Sequence, residues 1–165
     1  MTTPRLVVLC VEDEPDVRDA IVRDLAPFEP AVVTETAESA DDAREAIAEI
    51  TEGRDRLGLV LADHLLPGTT GVDFLVELHE GEATARAKKV LLTGQAGLDD
   101  TVKAVNRADL DRYVAKPWDP EELRAVVRDQ LTEFACEHVD DVLPYLTVLD
   151  SARLLEVHGT RAADR

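Results

Sequence analysis

Glu12 and Asp13 directly follow the apolar run Leu6–Val11, Asp63 ends the run that begins at Gly58, Thr93 follows Val90–Leu92, and Lys116 follows Arg112–Ala115. Three carboxylates, one hydroxyl and one ammonium make a set suited to phosphoryl chemistry. Carboxylates crowded into one crevice raise each other's pKa unless a cation compensates them. Magnesium commonly takes one or two carboxylates, keeps several waters and accepts a phosphoryl oxygen. Asp13 and Asp63 are therefore candidate direct ligands, and Glu12 a water-mediated one. The free carboxylate oxygen of Asp63 is then able to attack phosphorus and form an acyl phosphate, as other carboxylate nucleophiles do. Such transfer needs mainly positioning and charge neutralisation. Lys116 would supply a point charge, and the Thr93 hydroxyl and Gly94 amide would supply hydrogen bonds.

Plainer readings exist for single members of the set. Acids after a strand often just begin a helix, where the dipole favours them, and that suffices for Glu14. A lone Asp before a loop is usually a turn residue, and a structural magnesium is a weaker alternative to a reactive one. None of these explains why five such residues each stand immediately after an apolar segment.

Those segments are the elements that must position the site. Leu6–Val11, Leu59–Ala62 and Val90–Leu92 are almost wholly apolar, as expected of strands covered on both faces. Ala31–Thr36 and Arg112–Ala115 are β-prone but more polar, which suits sheet edges. Between them lie helical patterns. The first is Pro15–Leu25, with Pro15 at the first position and Val17, Ile21 and Leu25 on one face. The second opens with Ser39 and Asp42 spaced as a capping box, with Ala40, Ala43, Ile47 and Ile50 inward. The third runs over 71–79, with Phe74, Leu75 and Leu78 inward, and the fourth over 99–107, with Val102 and Val105 inward. The fifth starts after Asp119 and Pro120, with Glu122 placed to reach back to the cap. Alternating strands and helices predict an α/β fold with a doubly wound, five-stranded parallel sheet. Its binding crevice lies at the carboxyl ends of the strands, where all five chemical residues fall.

The 165 residues suit one domain, since compact domains usually hold about 100–150 residues. Apolar residues make up 45% and charged residues 32%, an ordinary globular balance. Asp and Glu outnumber Lys and Arg 35 to 18, for a net charge of −17, so direct DNA or RNA binding and anionic membrane surfaces are disfavoured. Solvated faces explain the acidity as well as a basic partner would. Cys10 and Cys136 match no ligand spacing and read as inert thiols. The run Leu6–Val11 is too short for a signal-peptide core or a membrane span, which predicts a cytoplasmic chain. His64, His79, His138 and His158 are scattered without metal spacing.

The stretches Glu12-Asp13-Glu14-Pro15, Asp63-His64-Leu65-Leu66-Pro67-Gly68-Thr69-Thr70-Gly71, Leu92-Thr93-Gly94 and Tyr113-Val114-Ala115-Lys116-Pro117-Trp118 resemble the receiver domain of two-component response regulators. The resemblance covers about Arg5 to Phe134. It implies the flavodoxin-like sheet order 2-1-3-4-5, with a receiver over 1–134 and a helical extension and flexible tail over 135–165. It also implies a phosphoacceptor signalling domain rather than an enzyme acting on an outside substrate. Asp63 would be phosphorylated by a partner histidine kinase. Magnesium would be bound by Asp13, Asp63 and the backbone carbonyl of Leu65, with Glu12 assisting, and the Lys116–Pro117 bond would be cis. In the family the threonine and a strand-five aromatic, here Thr93 and Tyr113, move on phosphorylation and reshape the face of helix four, strand five and helix five. A buried core tyrosine is the plainer reading of Tyr113. Glu-Asp replaces the more frequent Asp-Asp pair, which would alter magnesium affinity. Leu65 and Gln95 sit where the family tunes hydrolysis of the acyl phosphate, and apolar Leu65 is expected to impede attacking water.

The output is expected to be an unknown protein target or a homodimer. The alternative is a relay intermediate that passes the phosphoryl group to a histidine phosphotransfer protein. A flavodoxin-like cofactor site is opposed by the acids after strand one. A phosphohydrolase would carry a second acid where Leu65 stands, and an NTPase would need a glycine-rich loop with Lys. Trp118 would either present its ring near a partner face or pack against the fifth helix. After that helix, 136–165 is too small for an output domain. It reads as a helix extension and a short second helix that dock on the receiver, in preference to a partner, with 159–165 frayed.

Overall fold

The computed structural model describes residues 3–94 and 112–164. Five strands form one sheet: β1 (Leu6–Val11), β2 (Val32–Ala37), β3 (Arg56–Asp63), β4 (Lys88–Thr93) and β5 (Arg112–Ala115). They are all parallel, in the spatial order β2-β1-β3-β4-β5. The fold expected from the sequence is the one observed. The three apolar runs are the central strands, and the two mixed ones are the edges.

Two strands begin earlier than the apolar runs suggest, β3 at Arg56 and β4 at Lys88. Both lysines that open β4 are buried. Lys88 Nζ lies 3.5 Å from Glu133 and 3.3 Å from Glu137, while Lys89 Nζ donates to the carbonyls of Ala87 at 2.7 Å and Ala85 at 3.2 Å. A long stem buried along apolar surface with its ammonium bonded breaks a hydropathy pattern without breaking the strand.

Among the described residues the α-helices are α1 (Pro15–Leu25), α2 (Ala40–Glu52), α3 (Gly71–Glu80), α4 (Pro120–His138, the fifth helix expected from the sequence) and α5 (Ser151–Ala163). Ser39 caps α2 by accepting from the Asp42 amide at 3.1 Å, and Asp42 in turn accepts from the Glu38 amide at 2.9 Å, so the box closes one residue earlier than a standard one. Thr70 caps α3, and Asp119 caps α4 through the Glu121 amide. The helix expected over 99–107, with Val102 and Val105, lies outside the described residues, as does Gln95.

Alternating strand residues feed two cores, one on each face of the sheet. Leu6, Val8, Cys10, Leu59 and Leu61 pack with α1 and α4, while Leu9, Val11, Val60 and Leu91 pack with α2 and α3. The first core extends into the C-terminal segment. Val139, Val142, Tyr145, Leu149 and Leu154 are buried in the same cluster as Leu131 and Phe134 of α4. The segment thus docks on its own chain. α4 runs unbroken past residue 134, and α5 continues through Gly159 to Ala163, where fraying was expected. Its last turns are tied down, since Arg161 Nη2 donates to the Cys136 carbonyl at 2.7 Å and His158 Nε2 lies 3.3 Å from the Val139 carbonyl. Among the described residues, no helix is long and apolar enough to cross a membrane.

Candidate functional site

Parallel pairing carries the strand ends to one rim. Hydrogen bonds continue just past the strands there: the Glu12 amide donates to Ala37 at 3.0 Å, that of His64 to Leu92 at 3.0 Å, and that of Lys116 to Thr93 at 2.8 Å. The residues that follow β1, β3 and β5 are therefore tied to the neighbouring strand. Glu12, Asp13, Asp63, Thr93 and Lys116 meet in this way.

Lys116 is the hub. Its Nζ lies 2.8 Å from Glu12 Oε2 and 2.9 Å from Asp63 Oδ1. Glu12 is fully buried, and its other oxygen accepts from the Glu14 amide at 3.2 Å. Burial pushes the Glu12 carboxyl above its ordinary range, the bonds from Lys116 and Glu14 pull it back, and the charge of Asp63 adds to the rise. For Lys116, burial acts downward, but the bonds to Glu12 and Asp63 outweigh it and the ammonium is held above its usual pKa. A buried carboxylate pair around one cation satisfies the rule that buried charges are paired and hydrogen-bonded.

Asp13 is exposed at the mouth. Glu12, Asp13 and Asp63 each offer a carboxylate oxygen, all within 4.8 Å of one another. An all-oxygen set of this size fits a hard divalent cation such as magnesium, which binds through a few carboxylates and retains waters. The loop bearing two of these acids is clamped from α1, where Arg18 Nη1 donates to the Glu12 carbonyl at 2.8 Å and the Asp13 carbonyl at 3.2 Å.

Asp63, at the end of β3, is 6% exposed. Beyond it, Leu65–Leu66 pairs with Thr69–Thr70 in a short antiparallel ladder around Gly68, whose φ of +78° suits glycine. The Leu65 side chain is 75% exposed. Gly71 closes the loop, its amide donating to the His64 carbonyl at 2.8 Å. Thr93 is buried with its hydroxyl donating to the Gly94 carbonyl at 3.0 Å. Tyr113 is 54% exposed on β5, so the buried-core reading is wrong. On a short edge strand, alternation points this residue away from the buried Val114. The Lys116–Pro117 bond is cis.

Two residues around the site are marked by no sequence motif. One is Arg18. The other is Asp24, which is buried in the last turn of α1 and accepts from Trp118 Nε1 at 2.9 Å. Its signal was a polar residue in register with the inward stripe Val17, Ile21 and Leu25. Trp118 packs on the α1–α4 core and bonds to α1.

Among the described residues, the carboxyl rim of this doubly wound sheet brings together three carboxylates and a lysine. The model of the response regulator receiver domain matches residues 8–128, and the chain belongs to that family. It is 32% identical over 128 residues to the hydrogenase transcriptional regulatory protein HoxA of Cupriavidus necator, covering 78% of this chain and 24% of that protein. It is 28% identical over 138 residues to the phosphate regulon transcriptional regulatory protein PhoB of Escherichia coli, covering 82% and 56%. The chain thus spans about a quarter to a little over half of these relatives. Among solved structures, the signal receiver domain of an HD domain-containing protein from Pseudomonas fluorescens superposes with a TM-score of 0.71 at 26% identity, covering 83% of this chain and 94% of that one. A CheY-like receiver domain protein from Methanospirillum hungatei shares the fold, with a TM-score of 0.67 at 24% identity over 82% and 99%.

Proposed function

We propose that Asp63 accepts a phosphoryl group from the phosphohistidine of a partner histidine kinase, in a magnesium-dependent reaction. The observation that carries this is the placement of Lys116 Nζ between Asp63 and Glu12, beside the group of three carboxylate oxygens. Glu12, Asp13, Asp63 and the Leu65 carbonyl are the residues assigned to magnesium. When bound, the ion neutralises charge on the carboxylates and on the transferred phosphoryl oxygens.

The chain's own residues do the rest. An Asp63 carboxylate oxygen attacks phosphorus, the phosphorus–oxygen bond forms as the phosphorus–nitrogen bond breaks, and the imidazole leaves with its electron pair. Lys116 stays within reach of a phosphoryl oxygen as it gives up its contact with Asp63 Oδ1, so a cation faces the negative charge at the moment of transfer. Thr93 exchanges its bond to the Gly94 carbonyl for one to the phosphoryl group. The phosphorylated state is favoured by that new bond, which is the differential contact a two-state switch requires. Tyr113, exposed on β5, is the second switch residue, and it reports the change to a protein target or a second copy of the chain on the face of β5 and α4. Leu65 stands beside the attack path, and its apolar side chain slows water. The function is assigned to residues 1–134, with 135–165 as a supporting extension, in a cytoplasmic protein. This chain is not assigned direct DNA contact, because its net charge of −17 repels a phosphate backbone.

Incubation with acetyl phosphate and magnesium, followed by intact-mass analysis, tests the reading. Wild type should gain one phosphoryl group and Asp63→Asn none. Label on the Asp63→Asn chain, or uptake undiminished by chelation of magnesium, would count against it.

A further inference from the structure

We propose that Asp24 is a positioning residue for the phosphoacceptor site, acting through Trp118 on the turn that carries Lys116. This rests on the roles given above to Asp63 and Lys116.

A carboxylate in the last turn of a surface helix normally faces water and is repelled by the helix dipole. Asp24 instead is 5% exposed. Its Oδ2 accepts from Trp118 Nε1 at 2.9 Å, its Oδ1 lies 3.6 Å from Arg23 Nε, and its backbone carbonyl accepts from Arg124 Nη1 at 3.2 Å. Trp118 precedes α4 and Arg124 lies in it, so one residue at the end of α1 contacts both the turn and the start of the following helix. A buried carboxylate is costly without partners, and an indole offers a single N–H. The bond between them therefore selects one orientation of the Trp118 ring.

Lys116 is two residues from that ring, and its Nζ reaches Glu12 and Asp63. A groove of about 460 Å³ is lined by Asp24, Lys116, Pro117 and Trp118, so packing on the groove side does not hold the turn. The Lys116 amide is tied to the Thr93 carbonyl at 2.8 Å and the Trp118 ring packs on the core, and the Asp24 bond fixes how that ring sits. Without it the Trp118 ring has room to tilt into the groove and let the Lys116 side chain shift from the reacting carboxylate. Catalytic geometry is sensitive to displacements on the order of 1 Å.

The test follows phosphorylation of the full chain by acetyl phosphate with magnesium, reading the limiting rate constant and the donor concentration at half-saturation. Asp24→Ala and Trp118→Phe should each lower the limiting rate about 3- to 30-fold, by misplacing Lys116, with little change in half-saturation. Asp24→Asn keeps an acceptor for the indole and should react at close to the wild-type rate. The double variant Asp24→Ala with Trp118→Phe should be no slower than the slower single one, because both remove the same contact. Trp118 is the sole tryptophan, and its emission should shift to the red in Asp24→Ala but not in Asp24→Asn. If Asp24→Ala does not fold, Trp118→Phe and Asp24→Asn still decide the matter. Wild-type rates in the Ala and Phe variants, an Asn variant as slow as Ala, or multiplying effects in the double variant would overturn the inference. Label on wild type away from Asp63 would overturn the parent reading and this one together. Correct labelling with indifferent variants overturns this one alone.

Discussion

Gly71 presses against the backbone of Asp63. A methyl group built on its α-carbon would sit 2.1 Å from the Asp63 carbonyl oxygen and 2.8 Å from the carbonyl carbon. Backbone at that distance cannot yield as a side chain does, so Gly71→Ala must push the end of β3 and its carboxylate. The expected cost is about 1–3 kcal/mol of stability, as for other overpacked sites, together with slower phosphorylation. Urea unfolding and acetyl-phosphate kinetics check both, and an unchanged rate would show that the loop absorbs the methyl without moving Asp63.

Magnesium should raise the melting temperature of the wild type, since a ligand that binds only the folded state stabilises it. Asp13→Asn removes one of the clustered oxygens and should weaken that response without abolishing the fold, because Asp13 lies exposed at the mouth. Thermal melts over a magnesium titration read the difference. Equal shifts for the two proteins would remove Asp13 from the ligand set.

Cys10 is buried on β1, and burial, followed by the charge of Glu12, pushes its thiol up to about 12. The thiolate is the reactive form. Native protein near neutral pH should therefore modify at Cys136, which is only half-buried, well before Cys10. In urea the two should react alike. Disulfide-exchange reagents followed by peptide mass mapping distinguish them, and fast native labelling of Cys10 would contradict the packing of β1.

Leu154 of α5 is fully buried in the core shared with Leu131. Leu154→Ala should cost about 2–5 kcal/mol, as for other large-to-small core changes, and unfolding should remain a single transition. An earlier, separate loss of helicity would mean that α5 melts by itself.

Asp129 receives Arg153 Nη1 at 2.7 Å and Arg112 Nη2 at 3.2 Å, which links α5 to α4 and β5. Burial acts to raise its carboxyl, but the bond and charge of Arg153, then the charge of Arg112, hold it below its ordinary 3.8. A depressed acid contributes stability that is present above the unfolded pKa and lost as pH falls through the folded one. Wild type should thus lose stability below about pH 4 more steeply than Asp129→Asn, whose amide does not titrate. Parallel acid-unfolding curves for the two would show the pair to be energetically silent.

Much of this architecture was legible in the one-dimensional pattern. Strands covered on both faces must be apolar throughout, so β1, β3 and β4 announced themselves, and in a parallel sheet the residue after each strand must lie on one rim. That is enough to bring Glu12, Asp13, Asp63, Thr93 and Lys116 together before any coordinates exist, because the grouping follows from chain direction alone. What the pattern left out depends on partners far along the chain. The buried lysines of β4 are paired with carboxylates or hydrogen-bonded to carbonyls that periodicity does not reveal. The exposure of Tyr113 depends on which side of an edge strand is covered. Docking of the C-terminal segment on its own chain is the reading the sequence prefers, but the place where Leu154 meets the core beside Leu131 is set only by the fold. Asp24 falls in register with the inward stripe of α1, but the partner that satisfies it there, Trp118, comes 94 residues later. Local chemistry and alternation are written residue by residue, whereas a pairing across the fold exists only once both surfaces have met and excluded water.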